Sequence, residues 1–351
     1  MITNVLGRDS VATVTLKDIA HQVNRSITTV SRALHDCEDV SPETRAVVKR
    51  TALQMGYAPN VVAQRLQKQR AETVGLVLSG HGPRLSDPVF GDLLSGVADE
   101  IGRAGLDLLI SIAHGPDDEQ EAYRQRISGR RVDSVLVLRT RCHDSRVAFL
   151  LERRVPFVAN GRVLDECDFP YVDVDHGRGM CSVVHHLSQL GHRRIAFAAG
   201  PFELTSVHYQ CEGFRQAVVE CHLEGDDYLV VEAELTQRGG YDAAQALLSQ
   251  GAPPSAIVAS NDLMALGVMS AVQDHGLEVG RDVAVAGFDD IPLAETSHPT
   301  LTTVKQPAYH MGKTVGQMLV AVAWGETLPR PHVLVEPSLI IRQSTNLDLW
   351  L

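Results

Sequence analysis

The chain has 351 residues, 44% of them apolar and 21% charged, and a formal net charge of −11, the profile of a soluble globular protein with two or three domains. No stretch approaches the roughly 18 apolar residues that a membrane span needs, and the opening MITNVLGRDSVA lacks the basic start and apolar core of a secretory signal. Cys37, Cys142, Cys167, Cys181, Cys211 and Cys221 form no C-x-x-C pair, so neither a zinc knuckle nor a disulfide framework is expected, and a reducing cytoplasm is. The mean charge hides an asymmetry. Nine basic residues against five acidic ones leave residues 13–70 at +4; residues 1–12 balance, so everything after 70 carries −15. Such a split points to a small polyanion-binding head on an acidic body.

Three short helices are predicted over residues 15–57. Thr15 with Asp18 makes a capping box, and Ile19, Ala20 and Val23 give the apolar stripe of the first helix. Ser26 caps the second, with Val30, Ala33 and Leu34 facing inward; Ser41-Pro42-Glu43 starts the third and Gly56 closes it. The first two helices are separated by about three residues, the turn length of a helix-turn-helix. At about 100° per residue, Thr28 and Arg32 fall within about 40° of each other, opposite the inner stripe. Ile27 and Thr28 then stand at a helix N-terminus that can reach base edges, and Arg32 can fork onto guanine or phosphate. An ordinary three-helix unit with a polar outer face is the alternative.

Past Pro59, Asn60 caps a short segment whose Ala63 and Leu66 share a face among Arg65, Lys68 and Arg70. Either this is a solvated linker or it is a minor-groove helix with Leu66 as an apolar wedge between base steps. From residue 73 strand-like runs alternate with amphipathic helices: TVGLVLS, LDLLISIA, SVLVLRT, PFVANGR, YVDVD, RIAFAAG, YLVVEAE, AIVASND and DVAVAGFDD, with helices over 90–104, 262–275 and 308–324. Near-continuous apolar strands belong to parallel sheets covered on both faces. Two βαβ halves meeting near residue 168 predict two doubly wound subdomains with a cleft at the strands' C-terminal ends. The first is expected to hold residues 73–168 and 302–325, the second 169–301 and 326–345.

VTLKDIA, TVSRAL, VSPETRAVV, MGYAPN and VAQRL, in that order over residues 14–66, resemble the DNA-binding head of the lactose/galactose repressor family. LGHRRIAFAAGP, EGFRQAV, ASNDLMALG and VAGFDDIPLAETSHPTLTTVKQP resemble its effector domain, whose fold is of periplasmic-binding-protein type. The resemblance implies that Thr15, Ser26, Ile27, Thr28, Ser31, Arg32, Ser41, Thr44 and Tyr57 face DNA, with Asn60, Ala63 and Leu66 in a hinge helix whose leucine is the wedge. It places Asp87, Phe90, Asn160, Arg162, Asp262 and Asp289 in the effector pocket. Two departures concern the head: Asn24 stands at the usual turn glycine and His35 at a frequent asparagine. A third concerns the pocket, where Gln210 replaces a common arginine, so a neutral amide stands for a guanidinium fork and a neutral polyol is favoured over an acid or phosphate. His208 beside it is a candidate hydrogen-bonding group.

Enzymatic chemistry finds no motif. His176, His185, His186 and His192 crowd one region without H-E-x-x-H spacing, LSGHGP has Leu85 where a dinucleotide loop needs glycine, and no G-x-S-x-G or P-loop is present. No cofactor or metal is expected. The reading is a cytoplasmic repressor that binds operator DNA as a homodimer and is released or armed allosterically by a small molecule, a sugar, in the cleft. The competing readings are a sugar-binding transport protein without a DNA role and a purine-responsive regulator.

Overall fold

The computed structural model describes residues 14–58, 65, 70–79, 87–223 and 229–346. Contacts divide the chain after Arg70 into two compact units. Asn60, Ala63 and Leu66, the hinge candidates, lie outside the described residues.

The first unit is built of α1 (Leu16–Gln22), α2 (Ile27–Leu34) and α3 (Pro42–Gln54). Each start carries the predicted cap. The Thr15 hydroxyl accepts from the Asp18 N–H while the Asp18 carboxylate accepts from the Thr15 N–H at 2.8 Å. Ser26 accepts from the Thr29 N–H at 3.0 Å and Ser41 from the Thr44 N–H at 3.3 Å, with Pro42 opening α3. The α1–α2 turn needs a left-handed residue, and Asn24 supplies it at φ 46°. Ile19, Ala20, Val30, Ala33, Val40, Val48 and Ala52 form the core, with Leu34 and Tyr57 packed against it half-buried.

The second unit contains two six-stranded sheets. The first has the order β11-β5-β4-β3-β1-β2, from β1 (Thr73–Ser79), β2 (Asp107–Ala113), β3 (Ser134–Leu138), β4 (Phe157–Asn160), β5 (Tyr171–Val174) and β11 (His332–Val335). The second has the order β12-β10-β9-β8-β6-β7, from β6 (Ile195–Ala199), β7 (Val230–Glu232), β8 (Ala256–Ala259), β9 (Ala284–Asp289), β10 (Thr302–Lys305) and β12 (Ser338–Ile340). Every pairing is parallel except β12 on β10. β3, β6 and β8 are buried along their whole length, as strands covered on both faces must be. One continuous core runs through both halves, from Val74 and Leu136 to Val258 and Phe288.

The line between the halves differs from the expected one. β5 pairs with β4 and β11 with β5, so residues 171–174 and 332–335 belong to the first sheet, whereas β10 pairs with β9 and puts 302–305 in the second. A four-residue apolar strand carries no periodicity that names its sheet; only the pairing register does. The chain then crosses between halves after β5, between β10 and α12 (Ala308–Trp324), and between β11 and β12. α12 returns to the first half and lies close on α4 (Pro88–Arg103): a Cβ at Gly96 would collide with the Tyr309 carbonyl and one at Gly312 with the Leu93 carbonyl. The Tyr309 hydroxyl donates to Asp99 at 2.6 Å across the same contact.

Candidate functional site

In the head the residues expected to face DNA are exposed or half-buried. Ile27, 48% exposed, stands with exposed Thr28 and Arg32 and half-buried Ser31 on the outer side of α2, while Val30 and Ala33 on the opposite side are fully buried. The Thr15, Ser26 and Ser41 hydroxyls are each used in capping, which fixes them beside helix N-termini whose free N–H groups favour an anion. Thr44 lies half-buried in the first turn of α3, and Tyr57 packs against the head core. The Arg32 guanidinium rests on Asp39 at 2.5 Å and Lys49 on Asp36 at 2.6 Å; such exposed pairs contribute little and exchange readily for phosphate. His35 folds back, its Nδ1 2.7 Å from the Ser31 carbonyl.

In the second unit a cavity of about 140 Å³ opens where strand ends from both sheets meet. α8 (Thr205–Glu220) forms one wall and the β10–α12 crossing another. Five of the eight sequence candidates line it: Asp87, Phe90, Asn160, Gln210 and Asp289. Asp87 caps α4 by accepting from the Val89 N–H at 3.1 Å, and its other oxygen takes the Arg139 guanidinium at 3.1 Å. Phe90 follows in the first turn. The Asn160 amide donates to the Val172 carbonyl at 3.0 Å, and Gln210, only 3% exposed, donates from Nε2 to the Ser260 carbonyl at 3.0 Å. Because a carbonyl only accepts, that bond fixes the amide and leaves Oε1 buried without a partner among the described residues.

Asp289 ends β9 at φ 127° and Arg139 follows β3 at φ 51°, so two side chains of the cleft stand on left-handed backbone that non-glycine residues avoid. Asp289 accepts from Gln306 Nε2. Its carboxyl is raised well above the ordinary range, first by burial and then by the charges of Asp262 and Asp87. Two backbone bonds tie the halves beside the cleft, the Cys142 N–H to the Glu203 carbonyl at 2.8 Å and the Thr205 N–H to the Thr140 carbonyl at 3.0 Å.

Arg162, His208 and Asp262 do not line the cavity. The SND corner turns Ser260 and Asn261 toward the cleft and Asp262 behind it, fully buried, where it accepts from the Thr303 hydroxyl and from the Ile291 N–H at 2.9 Å. The cap of the following helix, α10 (Asp262–Asp274), is Asn261, accepting from the Met264 N–H at 2.9 Å. Arg162 bonds Asp173 at 2.8 Å and lies 4.0 Å over the Tyr209 ring. His208 pairs with Glu212, one turn along α8, at 3.3 Å. The cleft also holds Arg139, Thr140, Asp173, His176, Asn261 and Gln306, which the sequence reading did not select. Arg139 and Thr140 carried a usable signal, since they directly follow SVLVL at a strand's C-terminal end. Among the described residues no group of His, Cys, Asp and Glu is arranged to hold a metal ion.

The lacI family model of bacterial regulatory proteins matches residues 15–60, and the periplasmic binding protein-like domain model matches residues 184–345. The chain is 34% identical over 319 residues to the HTH-type transcriptional regulator CelR of Thermobifida fusca, covering 90% of this chain and 94% of that one. It is 30% identical over 334 residues to the transcriptional repressor CytR of Escherichia coli K12, covering 95% and 96%. This chain belongs to the LacI family. Among solved structures, the CelR–cellobiose complex superposes with a TM-score of 0.74 at 32% identity, covering 94% of this chain and 99% of that one. The lac repressor dimer bound to operator and the anti-inducer ONPF gives 0.85 at 26% identity, covering 95% and 99%. The protein is thus a DNA-binding transcriptional regulator, with a helix-turn-helix head and a two-sheet body of the family's architecture.

Proposed function

We propose that this LacI-family regulator is a cytoplasmic repressor without enzymatic turnover, binding operator DNA as a homodimer and controlled by a neutral sugar in the cleft between the two sheets. In the head, Thr15, Ser26, Ile27, Thr28, Ser31, Arg32, Ser41, Thr44 and Tyr57 make or support the DNA surface, with α2 in the major groove. In the body, Asp87, Phe90, Asn160, Gln210 and Asp289 bind the effector, joined by Arg139 and Gln306. Arg162 and Asp262 support that surface from behind, and His208 takes no part.

The observation that carries the sugar reading is the buried Gln210 amide with its unpaired Oε1. A carbonyl oxygen accepts from a hydroxyl and offers nothing to a phosphate or carboxylate, and Arg139, the arginine that lines the cleft among the described residues, is already neutralised by Asp87. The Phe90 ring supplies an apolar face for the C–H side of a sugar. Closing the two halves on an effector would change the spacing of two heads in a dimer, at the 1–3 kcal/mol typical of allosteric coupling.

The test is a gel shift of the full-length protein on genomic fragments, with cellobiose, maltose, glucose 6-phosphate and hypoxanthine added separately. Salt-sensitive retention that responds to a disaccharide is expected. A response to hypoxanthine alone would replace the sugar by a purine, and a response to glucose 6-phosphate alone would remove the argument from Gln210.

A further inference from the structure

Asp173, the last-but-one residue of β5, and His176, the first residue of α7 (His176–Gln189), both line the cleft, and neither belongs to the sugar-binding set above. His176 Nε2 lies 3.4 Å from Asp173 Oδ1. Asp173 Oδ2 accepts from Arg162 Nε at 2.8 Å, and the Arg162 guanidinium is stacked 4.0 Å over the Tyr209 ring of α8. Burial alone would raise Asp173, but His176 and Arg162 outweigh it and hold the carboxyl below its ordinary range. An anionic carboxylate only accepts, so the imidazole nitrogen facing it, Nε2, carries a proton, and Nδ1 is the ring atom left open to a ligand. That Nδ1 is buried and has no hydrogen-bond partner among the described residues. The imidazole is held from its other side by Phe288, ring centroids 5.3 Å apart.

We propose that His176 is an effector-contacting residue whose Nδ1 accepts a hydrogen bond from a hydroxyl of the sugar, with Asp173 and Arg162 as the residues that position it. The inference rests on the cleft being the effector site, and it narrows the ligand. Gln210 Oε1 and His176 Nδ1 are both acceptors, so the effector carries hydroxyl donors toward each of them. An acid or phosphate, which accepts only, is refused at both places. It also gives Arg162 a part different from the one expected of it: it reaches the sugar through Asp173 and His176, not directly.

Two measurements on the full chain test this. The first is calorimetric titration of cellobiose and maltose into wild type, His176→Phe, His176→Asn and Asp289→Ala. Asparagine places a carbonyl oxygen near the position of Nδ1, so His176→Asn is expected to bind within about threefold of wild type and His176→Phe about tenfold or more weaker. The second is the ¹⁵N spectrum of the His176 ring, assigned by difference with His176→Asn at about pH 8.5, above the ordinary imidazole value. It should show Nε2 protonated and Nδ1 bare before sugar is added, and the Nδ1 resonance should move on addition. His176→Phe binding within twofold of wild type while Asp289→Ala loses binding would overturn the His176 contact and leave the sugar site standing, as would a proton on Nδ1 in the sugar-free protein. No heat and no Nδ1 movement with either sugar in wild type would overturn both readings together.

Discussion

The head and the body place their chemistry in opposite ways. In the head the side chains proposed to read DNA from α2, Ile27, Thr28 and Arg32, are exposed over a buried core, and Arg32 and Lys49 are paired at the surface with Asp39 and Asp36. In the body the polar groups sit in a cavity, and each is held by a partner far away in sequence: Asp87 by Arg139, 52 residues on, Gln210 by the carbonyl of Ser260, 50 residues on, and Asp289 by Gln306, 17 residues on. A surface that must meet a polyanion can leave its side chains solvated until contact. A cleft that must discriminate among small molecules needs polar groups oriented beforehand, because an unmet buried hydrogen bond costs about 1–3 kcal/mol.

That contrast can be broken by substitutions that touch one region only. The largest effect is expected for Asp289→Ala, which removes a carboxyl from the cleft and strands the Gln306 amide: cellobiose affinity by calorimetry should fall roughly 10- to 100-fold while sugar-free DNA retention stays within about twofold. Arg32→Ala should do the reverse, weakening DNA retention about tenfold or more with unchanged sugar heats. A change in both properties from either substitution would contradict the separation of roles.

Gln210→Arg sharpens the comparison by restoring a guanidinium fork to the cleft. Neutral disaccharides should bind about tenfold more weakly, and an acidic sugar such as gluconate should gain affinity; a loss of both would mean that Gln210 acts only through packing. The smallest effect is expected from Asp262→Asn, read in the dependence of melting temperature on pH. Burial pushes Asp262 up to about 7 against the pull of the Thr303 hydroxyl and the Ile291 N–H, while the ordinary value is 3.8. Between those values the folded chain holds a proton that the unfolded chain lacks, so stability falls as pH rises through the window and levels off above it. The neutral asparagine should flatten part of that fall between pH 3.8 and about 7, with the raised Asp289 retaining the rest. Equal slopes in the two proteins would contradict the buried, protonated state.

How far the sequence could be read follows from the same contrast. The head was legible nearly to the side chain because caps and a 3.6-residue period are local: Thr15, Ser26 and Ser41 cap as expected, and Val30 and Ala33 turn inward while Ile27, Thr28 and Arg32 turn out. The strands of the body were legible as apolar runs, but the sheet to which β5, β10 and β11 belong was not, since that is fixed by pairing across the chain. In the cleft, the family resemblance points to Asp87, Asn160 and Asp289, which line it, and to Asp262, which does not, because a strand-to-helix corner sends adjacent residues to opposite sides, Ser260 and Asn261 toward the cleft and Asp262 behind it. His176 was hidden for the same reason. As one histidine in a crowded helix it carries no signal; it becomes distinctive only when Asp173 and Arg162 are brought against it.

The central claim is that a neutral sugar in the body controls a DNA-reading head. Fluorescence anisotropy of a labelled operator fragment, titrated with full-length protein at fixed salt with and without saturating cellobiose or maltose, tests it most directly. One of the two sugars should shift the wild-type midpoint by roughly 5- to 150-fold and leave that of Asp289→Ala in place. Salt-sensitive binding whose midpoint ignores both sugars in wild type, or no binding under any condition, would contradict it.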